Sequence, residues 1–472
     1  MNDNIHDLAM RHVREQVLER LLEHMTQAQR ASVHLLMQRM LVIAGGPGKI
    51  SEFRAMVLLG ADRRSAHLLA CLRAAQLSLA KRYGRSFLLR VLVARLPGLD
   101  STTLALHDRC FGALFLEDDS RVELLRADAG QIGPYSARPV ATTEQRAVAR
   151  NAWLLFGHLG VCRPEALLGA RAYLELATVL DQALHAGTGV DALFTVLPTT
   201  QRHRFMAWGR HCLRAITGGA ADALPHGVGG LAEGLMQLHN LLALPLQRAA
   251  PMALRTDAKV LQVIALEGFL QQLENDDLLD RMLGRVKVLP CEVHGPAGLF
   301  DPVPLAHLRG LYAQFIEQRG YRAGSRAVVE QFAHLPVQWP QPLREDAQER
   351  LADALGVTIE QLVCQAFAPF SDQGRRLELF LVRCHPGMLV ALPALHRALE
   401  GRRCASAITA WLMQVSGLEM AQLRALYAGA LRPQVRRLVA LLARRDIALR
   451  ALAQASPVAP PAQQQVSAGQ RR

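Results

Sequence analysis

Gly60, Ala61, Asp62, Arg63, Arg64 and Ser65 are the residues whose types and order best suit chemistry, lying between the apolar run Phe53 to Leu59 and a helical pattern. Where a turn leaves the carboxyl end of a parallel strand and opens a helix, the first backbone N–H groups lack helical partners, and phosphate settles on them. Ser65 would add a hydroxyl. Arg63 or Arg64 would add a guanidinium, whose planar fork matches phosphate. A plain turn uses the same residues equally well, with Gly60 making the bend, Asp62 capping the helix and the arginines solvated.

Four other constellations invite the same question. His226-Gly227-Val228-Gly229-Gly230 precedes a helical pattern from Leu231 to Leu244. Its glycines permit close backbone approach to an anion, but the Gly-Lys-Ser/Thr ending of a Walker loop is missing, so a mobile connector is expected. Cys291-Glu292-Val293-His294 is a C-x-x-H half-site that Cys384-His385 would complete; the spacing matches no closed structural site, and no zinc is expected. His203, His211 and Cys212 share a helical pattern with Phe205 and Trp208. No third group orients a nucleophile and base there, so a core or interface helix is expected. Finally, Arg432, Arg436, Arg437, Arg444, Arg445 and Arg450 interleave with Val435, Leu438, Leu442, Leu449 and Leu452. That pattern suits acidic lipid, a phosphate backbone or a solvated arginine face over a leucine stripe. Aromatic side chains for base stacking are missing from it, and nucleic acid is not the expected partner.

The first constellation resembles the PP-loop ATP pyrophosphatases, whose first strand ends in Ser-Gly-Gly-x-Asp-Ser before a helix. Aligned on the last serine, only Ser65 matches, and Arg64 reverses the charge of the acidic position. The resemblance spans about residues 50–220. It implies an ATP-binding α/β domain that adenylates a substrate and releases pyrophosphate with magnesium; the departures imply weakened or lost catalysis.

The elements that must position these residues read as follows. Residues 5–43 form one long helical pattern with an apolar face, ended by Gly45-Gly46-Pro47-Gly48. Strands are expected at Phe53 to Leu59, Phe87 to Val93 and Arg121 to Leu125, separated by helices at about 64–82 and 101–116. Strand, helix, strand, helix, strand predicts parallel pairing, since each crossover helix returns the chain to the same end of the sheet. Gly130 to Pro139 reads as a loop, Asp191 to Leu197 as a fourth strand and Val286 to Leu289 as a fifth. Beyond Pro302 the pattern is helical to about Gln454, and Ser456 to Arg472 reads as a disordered tail.

The fold class expected is therefore α/β: a mostly parallel, Rossmann-like or PP-loop-like sheet with a long N-terminal helix and a C-terminal helical region. The units are 1–48 (helix and Gly/Pro linker), 49–290 (α/β domain), 291–455 (helical region) and 456–472 (tail).

Composition bounds the alternatives. The chain has 472 residues, half of them apolar and 20% charged; that is enough to build real cores and excludes a wholly disordered chain. The net charge of +13 is carried almost entirely by arginine, lysine occurring only at Lys49, Lys81, Lys259 and Lys287. Eight scattered cysteines without a C-x-x-C read as reduced thiols. A secretory h-region and a membrane span are both missing from the pattern, and a cytoplasmic protein is expected. Two functions follow as expectations. The first is a nucleotide- or phosphate-ligand-binding protein using Gly60–Ser65, with ATP and magnesium as candidate ligands. The second is a helical adaptor or secretion-associated scaffold that binds partner proteins through the apolar face of residues 5–43.

Overall fold

The structure, a computed structural model, describes residues 2–136, 138–159, 164–197, 199–217, 227–243, 261–266, 277–284, 299–333, 339–430 and 433–444. The Val286 to Leu289 strand and the 456–472 tail lie outside these residues.

The chain opens with two helices, α1 (Asn2–Glu23) and α2 (Gln27–Ala44), where the apolar spacing predicts one. The break is a capping box. Thr26 Oγ1 accepts from Gln29 N–H at 3.3 Å, and the Gln29 side-chain oxygen accepts from Thr26 N–H at 2.7 Å. Apolar residues recur in phase on both sides, which conceals the break in the pattern.

Next come β1 (Arg54–Leu59), α3 (Arg63–Tyr83), β2 (Leu88–Val93), α4 (Ser101–Leu114) and β3 (Val122–Asp128). The predicted alternation holds here, and β1, β2 and β3 pair in parallel. The Gly130 loop is instead a hairpin: β4 (Gln131–Pro134) folds back antiparallel on β3. Its two turn residues, Ala129 and Gly130, both have positive φ. Such turns favour Asn or Gly at the first position, so an alanine there gives no signal.

The rest of the α/β part is α5 (Thr143–His158), α6 (Pro164–His185), β5 (Ala192–Thr195), α7 (Thr199–Thr217), α8 (Gly227–Ala243), β6 (Gln262–Ala265) and α9 (Asp277–Met282). The sheet order is β4-β3-β2-β1-β5-β6. β5 pairs in parallel with β1 and β6 with β5, so only β4 runs against the rest. The chain builds outward from β1 to β3 and then resumes on the other side of β1. The order thus reverses between β1 and β5, the place where open α/β sheets usually bind ligands.

Strand alternation divides the core. Ala55, Val57 and Leu59 of β1, with Leu89, Val91 and Val93 of β2, pack toward α3, α4 and the N-terminal helix pair. Met56 and Leu92 face the opposite side, where Val179, Leu180 and Ala183 of α6 cover them. Arg90 also points to that side. It pairs with Glu123 and donates to the Ala183 and Ala186 carbonyls, closing the carboxyl end of α6.

A helical region completes the chain: α10 (Pro302–Phe315), α11 (Tyr321–Gln331), α12 (Leu343–Leu355), α13 (Ile359–Phe367), α14 (Leu377–Cys384), a 3-10 turn (Pro386–Ala391), α15 (Leu392–Leu399), α16 (Ser406–Ser416), α17 (Met420–Tyr427) and α18 (Pro433–Arg444). One apolar core joins these helices to α5, α6, α7 and α8, running across residue 290. Among the described residues, no helix is long and apolar enough to cross a membrane.

The apolar face of the N-terminal pair is filled from within. Val17, Leu18, Leu21, Met25, Val33, Leu36, Met40 and Leu41 are buried in the core that α3 shares, so much of the face expected to receive a partner packs on the protein's own helix, while Leu8, Leu35 and Val42 stay exposed.

Candidate functional site

The six residues of the first constellation come together at the carboxyl end of β1, beside the switch in strand order. Asp62 caps α3, its carboxylate accepting from Ser65 N–H at 2.8 Å. The Ser65 hydroxyl donates inward, to the carbonyls of Gly60 and Asp62 at 3.2 and 3.0 Å. Arg63 pairs with Asp280 of α9, and His67 Nε2 meets the other oxygen of the same carboxylate at 2.8 Å. Gly60, Ala61, Asp62 and Ser65 are buried. The expected cradle of outward-facing amides is therefore a closed corner, because its capping carboxylate and hydroxyl satisfy their partners locally and α9 lies across it.

The other constellations fall as follows. Gly227 to Gly230 form the first turn of α8 rather than a connector; the helix starts ahead of its apolar pattern. Cys291 to His294 lie outside the described residues. Cys384 ends α14, and the His385 ring lies edge-on to Phe380 and Trp411. His203 is exposed, whereas Trp208 and Cys212 are buried in the core of α7. In α18, Val435, Leu438, Val439 and Leu442 are buried with Arg436 and Arg437 outside. Among the described residues no group of three or more His, Cys, Asp or Glu side chains is arranged to hold a metal.

An open cleft of about 430 Å³ lies elsewhere on the carboxyl edge, over β2 and β3. Two capping residues build its floor. Asp100 closes the loop after β2 and caps α4, accepting from Thr103 N–H at 2.8 Å. Asp301 caps α10, accepting from Val303 N–H at 3.0 Å. A short parallel bridge brings the second to the first: Leu96 N–H donates to Leu299 O and Asp301 N–H to Leu96 O, each at 2.8 Å. Residues two hundred apart in sequence thus share one strand end.

Arginines bind the walls. Arg350 of α12 reaches Asp301 at 2.8 Å, Asp346 at 2.6 Å and Asp100 at 3.8 Å. Arg95 pairs with Asp100, and Arg146 of α5 meets Asp128 at the end of β3 at 2.9 Å. Burial alone would raise the Asp100 carboxyl; Arg95 and the Thr103 N–H and hydroxyl override it and hold the group below the usual carboxylate range. Burial would likewise lower the Arg350 guanidinium, but Asp301 and Asp346 push it the other way. Both shifts favour the charged forms of Asp100 and Arg350.

The charges do not cancel. Six carboxylates and three guanidinium groups line the cleft, an excess of three negative charges. Glu349 and Asp353 stand exposed at its rim on α12. Ser101 and Thr102, the first two residues of α4, also line it. Sequence reading marks Asp100 to Thr102 only as a helix start. Its one further signal is that the cap follows a strand end directly, because nothing in the spacing joins it to Asp301 or Arg350.

No protein-family model, curated protein or solved structure matches the chain.

Proposed function

We propose that this chain is a binding protein for a small polar ligand that carries positive charge, an amine or guanidine, seated in the cleft over β2 and β3. The observation that carries the reading is the lining. A cleft of about 430 Å³ falls within the range of small-molecule sites, and its carboxylates exceed its arginines by three. Of the lining arginines, Arg350 and Arg146 are matched to acids and Arg126 donates to the Ser136 and Arg138 carbonyls, while Arg95 behind the lining pairs with Asp100; the two carboxylates left exposed are those of Glu349 and Asp353 at the rim.

A nucleotide or other phosphate ligand in a PP-loop-like core is the second reading, and one observation favours it here rather than at Gly60–Ser65. The amino-terminal turn of α4 opens on the cleft, and the buried Nε–H of Arg146 in its wall has no acceptor among the described residues. Phosphate would need magnesium alongside to offset the carboxylates.

Thermal melting with millimolar agmatine, spermidine, or ATP with and without magnesium separates the two. A ligand at a hundred times its Kd adds about 2.7 kcal/mol to the native state. The first reading predicts a higher Tm with the amines, lost in Glu349→Gln/Asp353→Asn. A higher Tm with magnesium–ATP alone supports the second, and no shift with any of them overturns both.

A further inference from the structure

Two walls of the cleft touch at Gly98 and Ala354. Gly98 lies in the loop between β2 and α4, Ala354 in the last turn of α12, and both line the cleft. A Cβ built on Gly98 would stand 2.8 Å from the Ala354 Cβ and 3.4 Å from its Cα. Gly98 is not among the glycines with positive φ, so the course of the loop does not call for a glycine. What the missing side chain provides is room for the helix.

Both sides of the contact are anchored. Leu96 N–H donates to Leu299 O and Leu96 O accepts from Asp301 N–H, which fixes the loop before Gly98; Asp100 fixes it after, as the cap of α4. On α12, Leu351 and Leu355 are buried in the large core. Arg350 stands one turn before Ala354 on the same helix face. The seating of Ala354 on Gly98 therefore sets how far Arg350 reaches, 2.8 Å to Asp301 and 3.8 Å to Asp100. The same seating places Asp346, Glu349 and Asp353, half of the carboxylates that line the cleft.

We infer that Gly98 is a positioning residue of the cleft: it lets α12 approach the start of α4 closely enough for the carboxylates of both walls to act on one ligand. This role rests on the reading of the cleft as the seat of a cationic ligand. Carbon atoms in ordinary contact lie about 3.5–4.0 Å apart, so a methyl group at position 98 drives the last turn of α12 outward by roughly 1 Å. A binding constellation keeps its geometry only within about 0.5 Å. Glu349 and Asp353 move with the helix, and Arg350 draws away from Asp100.

Calorimetric titration of the full chain with spermidine and agmatine, well below the Tm of each variant, tests this. At such temperatures the molecules are native, so a loss of stability alone leaves Kd unchanged. Gly98→Ala should weaken Kd by about tenfold or more. Gly98→Ala/Ala354→Gly, which removes the methyl that the new one meets, should recover most of the loss. Gly324→Ala, whose Cβ would lie 2.5 Å from the Ala313 Cβ and outside the cleft lining, should bind as the wild type does. Where Gly98→Ala does not fold, Ala354→Val drives the same wedge from the helix side and carries the same expectation. Wild-type affinity in Gly98→Ala overturns the inference and leaves the reading of the cleft standing. So does a double variant as weak as the single, or an equal loss in Gly324→Ala. A wild-type chain that binds neither amine overturns that reading and the role of Gly98 together.

Discussion

Replacing Asp119 by alanine tests the most buried polar contact of the α/β part. Arg73 lies in the middle of α3 with no exposed surface. Its guanidinium donates to Leu114 O at 3.1 Å, Phe115 O at 2.7 Å, Gln76 Oε1 at 2.6 Å and Asp119 Oδ2 at 2.9 Å. Asp119 is its one carboxylate, and that carboxylate also accepts from Arg121 and Arg14. Burial pulls the Arg73 guanidinium down to about 10, and Asp119 only partly restores it. Burial would raise the Asp119 carboxyl, yet the arginines hold it far below the usual range. Without the carboxylate, a buried cation keeps only neutral acceptors, at a cost of about 3–5 kcal/mol. Arg14 and Arg121 lose less, because both reach solvent.

The assay must look at the sheet. Trp153 and Trp208 belong to the core on the helical side, and Trp339 and Trp411 pack against it, so their fluorescence reports the wrong region. Hydrogen exchange of the β1–β3 amides is the direct readout, and the expected loss lowers protection by roughly a hundred- to several-thousand-fold. Arg73→Met/Asp119→Leu should recover most of it, since it removes both buried charges. A loss below about 1 kcal/mol in Asp119→Ala, or a double variant as weak as the single, would refute the reasoning.

Two further predictions concern acid and packing. Burial pushes His158 down to about 3, and both its ring nitrogens lack hydrogen-bond partners among the described residues; burial likewise takes His307 to about 4. Their folded values lie below the unfolded value near 6.5, so stability is intact above pH 6.5 and falls as the unfolded chain alone takes up protons. Between about pH 6 and 4 the slope from the pair should approach about 2.7 kcal/mol per pH unit. Melting against pH checks it, and His158→Phe should remove about half; an unchanged slope in that variant contradicts the assignment. Gly324 sits where α11 crosses α10, and a Cβ there would lie 2.5 Å from both Arg309 O and the Ala313 Cβ. Gly324→Ala should cost about 1–3 kcal/mol in urea unfolding, whereas Gly320→Ala, with nothing within 4 Å, should be nearly silent.

What the sequence makes legible is local. Asp62 and Asp100 announce helix starts through their own chemistry, and Leu88 to Val93 announces a buried strand through apolar residues interrupted only by Arg90. Three other features left no such trace. The break at Thr26 lies within an unbroken apolar rhythm. The β3–β4 turn places an alanine at positive φ. Strand β6 is four residues long, too short for its period to register. The site is a harder case, because it is a matter of distance in space. Gly60 to Ser65 has the composition of an anion cradle, but whether its groups point outward depends on Asp280, more than two hundred residues away. The cleft likewise depends on the Leu96–Phe300 bridge, which delivers Asp301 beside Asp100.

The central claim is that the ligand seats over β2 and β3. Hydrogen–deuterium exchange of the whole chain with and without saturating spermidine tests it most directly. The account predicts slower exchange at residues 94–102, 126–128, 299–305 and 346–354, with residues 60–67 unchanged. Protection confined to residues 60–67, or spermidine binding with no protection along the cleft, would contradict it.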